Sequence, residues 1–343
     1  MIRFNNDYNR GAFPSILEAM AAENPVSHPG YGTDDWCARA TAKIRELTAC
    51  PTADVHYFLG GTQANFVTLT AALTPVQSII AADTGHINCH ETAAVECAGH
   101  KILPVPNRDA KLTADQVRAC AEAYRDEGEA EYLTEPKAVY ISFPTEQGTL
   151  YTLEELKALR AVCREFGLYL FVDGARMSYG LTAPGCDVTL PDLAVLADAF
   201  YLGGTKCGAL FGEAMVLTAE PLKRRFKAYM KQHGAVLAKG WLLGMQFAVM
   251  LESGEYFTAA KRANALSLRI RDAFRAKGIP FLTESVTNQQ FVLLDKRQQD
   301  YFAEKYSFEK MGTTDRGDII RFCTSWATTP EEVDALTADI AGL

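Results

Sequence analysis

Leu168-Tyr169-Leu170-Phe171-Val172-Asp173-Gly174-Ala175-Arg176 and, a short way on, Ala199-Phe200-Tyr201-Leu202-Gly203-Gly204-Thr205-Lys206-Cys207 are the stretches on which the fold turns. Each opens on an apolar run, Leu168–Val172 and Ala199–Leu202. Their length and residue types suit strands buried on both faces of a parallel sheet. The first run leads into Asp173, the second into Gly203-Gly204-Thr205-Lys206. In open α/β sheets ligands bind beyond the carboxyl ends of the strands. Asp173 and Lys206 are therefore expected at one rim. Singly, such an Asp is often a helix cap and such a Lys a solvated loop residue. Together, on adjacent strand ends, they suit pyridoxal phosphate, which needs a lysine for its Schiff base and a carboxylate to keep its ring nitrogen protonated.

Working outward, strand and helix alternate. Ser78–Ala82, Lys101–Val105 and Lys137–Ser142 read as strands; His86–Ala98, Thr113–Arg125 and Thr152–Phe166 read as helices. The last of these opens on a Thr152-x-x-Glu155 capping box. Such alternation predicts an α/β fold with a mostly parallel central sheet sandwiched by helices. Met215–Thr218 is expected to close this part of the sheet. Ala219–Met230, Ala235–Leu251 and Phe257–Lys277 are expected as helices. After Gly278-Ile279-Pro280 the pattern changes. Strands Gln289–Leu294 and Asp318–Cys323 flank a helix near Gln298–Lys305, and a final helix starts at Thr329-Pro330-Glu331-Glu332. This predicts a smaller C-terminal α+β domain. The expected division is a large domain over 12–250 and a small one over 1–11 and 251–343, with residues 1–11 as an N-terminal arm. Within the large domain, Phe13–Ala22 reads as a short helix, and Asp34 opens another running to Leu47.

The bulk composition is that of an ordinary soluble globular protein. Hydrophobic residues make up 48% and charged residues 22% of the 343. Lys and Arg total 34 against 42 Asp and Glu, a net charge of −8. That argues against a nucleic-acid partner, because phosphate binding shows as a basic excess. No apolar h-region follows Met1, and no apolar stretch reaches membrane-spanning length, so no signal peptide and no membrane partner are expected. Nine scattered cysteines without a CxxC fit reduced thiols in a cytoplasmic enzyme.

Three further constellations carry chemistry. Phe58-Leu59-Gly60-Gly61-Thr62-Gln63-Ala64-Asn65 leads into an apolar helix, where glycines and free N–H groups can approach an anion. The same residues also read as a glycine turn with a threonine cap. His86 and His90 are spaced i, i+4, but no second cluster completes a ligand set, so no metal is expected. An imidazole at a helix start can instead stack on a planar ring. Arg321 interrupts the apolar run Ile319-Ile320-Arg321-Phe322. It needs either an internal acid or a cavity, and its fork fits a substrate carboxylate.

Tyr31-Gly32-Thr33-Asp34, Gly61-Thr62-Gln63-Ala64-Asn65, His86, Asp173-Gly174-Ala175-Arg176 and Thr205-Lys206 occur in an order that resembles the low-specificity threonine aldolases. These belong to the β-eliminating lyases among fold-type-I enzymes that use pyridoxal 5′-phosphate. The resemblance covers nearly the whole chain. It implies that Lys206 holds the cofactor as a Schiff base, Asp173 bonds the ring nitrogen, Arg176 the ring hydroxyl side, and His86 stacks on the ring. Gly61, Thr62 and Thr205 would bind the phosphate. Arg321, with Asn6 at the place of the family's N-terminal Ser-Asp-Thr serine, would hold the substrate α-carboxylate. It also implies a homo-oligomer, dimer or tetramer, with sites at subunit interfaces.

The implied reaction is cleavage of the Cα–Cβ bond of threonine-like β-hydroxy-α-amino acids to glycine and an aldehyde. Where the family has Asn-Thr-His-Asn-Gly, this chain has Pro144-Thr145-Glu146-Gln147-Gly148. Glu146 thus stands where the family histidine meets the substrate hydroxyl, and a buried carboxylate can serve as base there. β-Elimination, transamination or racemisation of an amino acid are the alternative reactions on the same fold.

Overall fold

The computed structural model describes residues 1–343. Its strands are β1 (Ile2–Arg3), β2 (Asp54–Phe58), β3 (Gln77–Ala82), β4 (Lys101–Val105), β5 (Glu135–Ser142), β6 (Tyr169–Asp173), β7 (Ala199–Gly203), β8 (Glu213–Leu217), β9 (Gln289–Leu294), β10 (Tyr306–Ser307), β11 (Glu309–Thr314) and β12 (Gly317–Cys323). Seven of them form the central sheet, in the order β2-β8-β7-β6-β5-β3-β4. Strands β4, β3, β5, β6 and β7 run parallel, while β8 is antiparallel to both β7 and β2. Side chains alternate between the two faces of a strand. Accordingly Val139, Ile141, Leu170, Val172 and Phe200 enter one core, and Ala138, Tyr140, Phe171, Ala199 and Tyr201 the opposite one. Burial on both faces is what makes these runs continuously apolar in sequence.

Chain order reverses at β3, which lies between β4 and β5. The crevice at such a switch point opens beyond the strand carboxyl ends. Because β8 is reversed, its first residue, Glu213, lies at that same rim. It is the register partner of Gly203 at the end of β7. The helix Gly61–Ala72, which follows β2, starts there too.

A third core lies under the small antiparallel sheet β11-β12-β9, where Val292, Ile320 and Phe322 meet Ile270, Phe274 and Leu336. Phe4 is fully buried in it, and β1 pairs with β10. The N-terminal segment, whose polar sequence reads as irregular, is thus anchored by one aromatic side chain and a strand pairing.

Several element boundaries differ from expectation. The helix expected over His86–Ala98 is two single turns, His86–Cys89 and Ala94–Cys97, separated by Thr92 and Ala93 at positive φ. The break accompanies the inward turn of Glu91, whose buried carboxylate bonds Asn65 and His86. Ala219–Met230 is interrupted at Arg225, which has φ 62°. The helix expected from Ala235 starts only at Trp241, after Gly234 takes φ 73° and Ala238 gives its carbonyl to the N–H of Tyr31. Met215–Thr218 does not close the sheet, since β2 lies outside it.

Candidate active site

A cavity of about 540 Å³ opens at the rim just described. Four adjacent parallel strands supply its floor. His86 follows β3, Glu146 follows β5, Asp173 ends β6, and Lys206 follows β7. All four line the cavity, with Gly61, Thr62, Arg176, Thr205 and Arg321. Those from Gly61 to Lys206 meet here because each ends or follows a strand of the central sheet, and Arg321 reaches the cavity from within β12 of the small sheet.

Asp173 is 4% exposed. Its Oδ2 accepts from Tyr140 Oη at 2.6 Å and Asn65 Nδ2 at 3.0 Å, and its Oδ1 from the Ala175 N–H at 2.9 Å. Burial opposes its ionisation, but the nearby His86 and these donors outweigh burial and hold the carboxyl below its usual value. Gly174 has no room for a side chain, since a Cβ there would collide with the carbonyl of Tyr201 on β7. That close approach brings the end of β6 against β7.

Lys206 follows a turn clamped to β8. Glu213 Oε2 accepts from the Gly204 N–H at 3.0 Å, and Thr205 Oγ1 accepts from the Gly212 N–H at 3.0 Å. Burial and the positive charge of Arg176 push the Lys206 ammonium below the usual lysine range. Burial pushes the Glu213 carboxyl above its usual range.

His86 Nδ1 lies 2.7 Å from Glu91 Oε1, which fixes the ring's orientation. The backbone N–H of His86 donates to Glu146 Oε1 at 2.9 Å, and Ser142 Oγ donates to the same oxygen at 2.7 Å. Burial raises the Glu146 carboxyl above its usual range, opposed by those donors.

The helix Gly61–Ala72 begins at Gly60 with no side-chain cap, so its first N–H groups stay free for an anion. Thr62 is not the cap, because it lies inside the helix. The Tyr201 hydroxyl is buried beside the Asp173 carboxylate, 3.1 Å from where a Cβ on Gly61 would sit.

Arg176 donates from Nε and Nη2 to Asp7 at 2.6 and 3.1 Å. Arg321 pairs with Glu309 at 2.6 Å. Asn6 is not brought into the cavity. Its Oδ1 accepts from the Tyr8 N–H in a local turn typical of asparagine. Its neighbours reach the site instead: the Asn5 carbonyl meets Arg321, Asp7 meets Arg176, and Tyr8 lines the cavity.

Sequence reasoning passed over Asn65, Glu91, Glu213, Tyr140 and Asp7 as site residues. Asn65 carried a signal, since it lies one helical turn beyond Gly61 and Thr62 on the same face. Glu213 carried none, because only the reversed direction of β8 puts it at the rim.

The Beta-eliminating lyase family profile matches residues 7–297. The chain belongs to that family. It is 30% identical to the low specificity L-threonine aldolase of Pseudomonas sp. (strain NCIMB 10558), over 98% of this chain and 96% of that one. It is 25% identical to the low specificity L-threonine aldolase of Saccharomyces cerevisiae, over 86% of this chain and 76% of that one. Among solved structures, a threonine aldolase of Leishmania major superposes with TM-score 0.96 at 40% identity, covering 99% of this chain and 98% of that one. An aspartate aminotransferase of Thermus thermophilus, at 16% identity and TM-score 0.70, covers 100% of this chain and 91% of that one; this likeness is one of fold. The fold-type-I architecture expected from the sequence is therefore the one observed.

Proposed function

We propose that the cavity takes pyridoxal 5′-phosphate, and that the protein is a lyase cleaving the Cα–Cβ bond of threonine-like β-hydroxy-α-amino acids to glycine and an aldehyde. The observation that carries this reading is the convergence of the Lys206 amine and the Asp173 carboxylate on one cavity from neighbouring strand ends. The names of the similar proteins support it.

The residues present fit that cofactor. The uncapped helix start at Gly61 and Thr62, with Thr205, suits a phosphate. Asp173, kept ionised, would hold a protonated ring nitrogen. Arg176 would lie on the ring hydroxyl side, and His86, held by Glu91, would face the ring. When bound, pyridoxal phosphate supplies an electron sink for the pair left at Cα.

The protein's own groups supply the rest. Lowered basicity leaves more of the Lys206 amine neutral and nucleophilic at neutral pH. Arg321 would fix the substrate α-carboxylate, and so decide which bond at Cα is aligned for cleavage. Glu146, with its raised carboxyl, would take the β-hydroxyl proton as the C–O bond becomes a carbonyl and the Cα–Cβ pair passes to Cα.

No helix is long and apolar enough to cross a membrane. A homo-oligomer working in the cytoplasm is part of this proposal. Tyr8 and Leu59 on the cavity wall are 53% and 40% exposed in the single chain, as expected where a second copy would cover them.

The test is to load the protein with pyridoxal phosphate, supply threonine and allo-threonine, and assay glycine and acetaldehyde. Borohydride should fix the cofactor on the peptide that contains Lys206. Absence of both products, or label on another peptide, overturns the reading.

A further inference from the structure

Arg321 and Glu309 face each other as register partners on β12 and β11. Arg321 is 8% exposed and its side chain reaches the cavity wall. Nη2 donates to Glu309 Oε2 at 2.6 Å and to the Asn5 carbonyl at 2.8 Å. Nη1 donates to Gln289 Oε1 at 3.3 Å, and Nε is buried with no partner. The only carboxylate this guanidinium meets is therefore that of Glu309.

Glu309 is placed differently. Its side chain is 46% exposed, and Arg321 is its only hydrogen-bond partner. Strand β11 is an edge strand, and its pairing with β12 slips at Met311, between Lys310 and Gly312. Bulges at sheet edges re-aim side chains. Here both Glu309 and the bulged Met311 turn towards the cavity.

We propose that Glu309 is an internal stand-in for the substrate α-carboxylate, holding Arg321 until an amino acid displaces it. This rests on the reading of Arg321 given above. A buried guanidinium left without an anion is costly, so Arg321 needs a partner in every state. A half-exposed carboxylate gives up such a pair cheaply, because water takes it back. The exchange is near balance, and the apparent affinity of any carboxylate ligand is its intrinsic affinity scaled by the fraction of molecules in which Arg321 is released. A monocarboxylate without an amine has nothing else to offset that competition. An amino acid, also held through its amino group, does. Glu309 thereby screens for ligands that carry both groups.

The experiment measures calorimetric Kd values of the loaded enzyme for glycine and for acetate, in wild type, Glu309→Gln, Glu309→Ala and Arg321→Gln. Both Glu309 variants are expected to bind glycine about five-fold tighter, to show measurable acetate binding, and to lower KM by a similar factor. Unchanged or weaker glycine binding in both overturns the stand-in role. Arg321→Gln separates the two readings. If it binds glycine like wild type, Arg321 is not the carboxylate site and both fall. If it loses glycine while the Glu309 variants fail to tighten, only the stand-in role falls.

Discussion

Asp7 and Arg176 form a two-point ion pair, with Nε to Oδ2 at 2.6 Å and Nη2 to Oδ1 at 3.1 Å. It ties the N-terminal segment to the loop that follows β6, next to Asp173. Asn288 Nδ2 adds a third bond to Oδ2 at 2.9 Å. Burial opposes ionisation of Asp7, but Arg176, Lys206 and Asn288 hold its carboxyl down to about 2. A carboxyl depressed in the folded state stabilises above its unfolded pKa of about 4, and that contribution is lost as pH falls towards 2. Removing one member of a buried pair strands the other, at about 3–5 kcal/mol. Asp7→Asn should lose about that much stability in denaturant titrations at pH 7, and the gap to wild type should close as pH falls below 4. A constant gap would show that the lost hydrogen-bond acceptor, not the charge, is responsible.

Gly174 lets the end of β6 lie against Tyr201 of β7, and a Cβ there would overlap the Tyr201 carbonyl. The same crowding holds at Gly203, where a Cβ would meet the Ala175 carbonyl. Gly174→Ala must therefore spread the two strand ends that carry Asp173 and Lys206. Pyridoxal phosphate affinity should fall at least tenfold, measured by the cofactor's visible absorbance, because a displacement near 1 Å is enough to spoil a two-ended grip. Unaltered affinity would mean that the two strands tolerate separation.

Both runs that define the sheet centre were legible because burial on two faces leaves an unbroken apolar signature. Asp173 and Lys206 were legible because strand ends in such sheets carry sites. The chain's breaks were not. Nothing in His-Ile-Asn-Cys-His-Glu announces that Glu91 will turn inward, since its partner Asn65 lies on a distant helix and its bond to His86 needs the helix to break. Glu213 became visible only once β8 was found to run backwards, and β2 only once it had a neighbour to pair with. Arg321 illustrates a third case. The sequence offered a salt bridge and a cavity as rival fates, and the structure shows both at once.

Glu146 accepts bonds from Ser142 and from the His86 N–H, yet burial still raises its carboxyl. If it is the base, kcat/KM should rise with pH along a limb whose midpoint lies above the ordinary carboxylate value of 4.5. Glu146→Gln should remove that limb and lower kcat by about 10²- to 10³-fold. Retention of the limb in the variant would assign the proton transfer to another group.

Asn65 is fully buried, and its Nδ2 donates both to Glu91 Oε1 at 2.7 Å and to Asp173 Oδ2 at 3.0 Å. It joins the carboxylate on the cavity floor to the one that orients His86. Asn65→Ala removes a donor from each, at about 1–3 kcal/mol per buried acceptor. Asn65→Asp keeps the shape but puts a third carboxylate between two others, where like charges raise the cost further. The order of stability in denaturant titrations at pH 7 should be wild type, then Asn65→Ala, then Asn65→Asp, and pyridoxal phosphate affinity should follow the same order. Protonating the introduced carboxyl removes the repulsion, so the deficit of Asn65→Asp should shrink as pH falls. If Asn65→Asp, which keeps the shape, matches wild type at pH 7 while Asn65→Ala does not, the bridge works by filling space rather than by supplying donors to two acids.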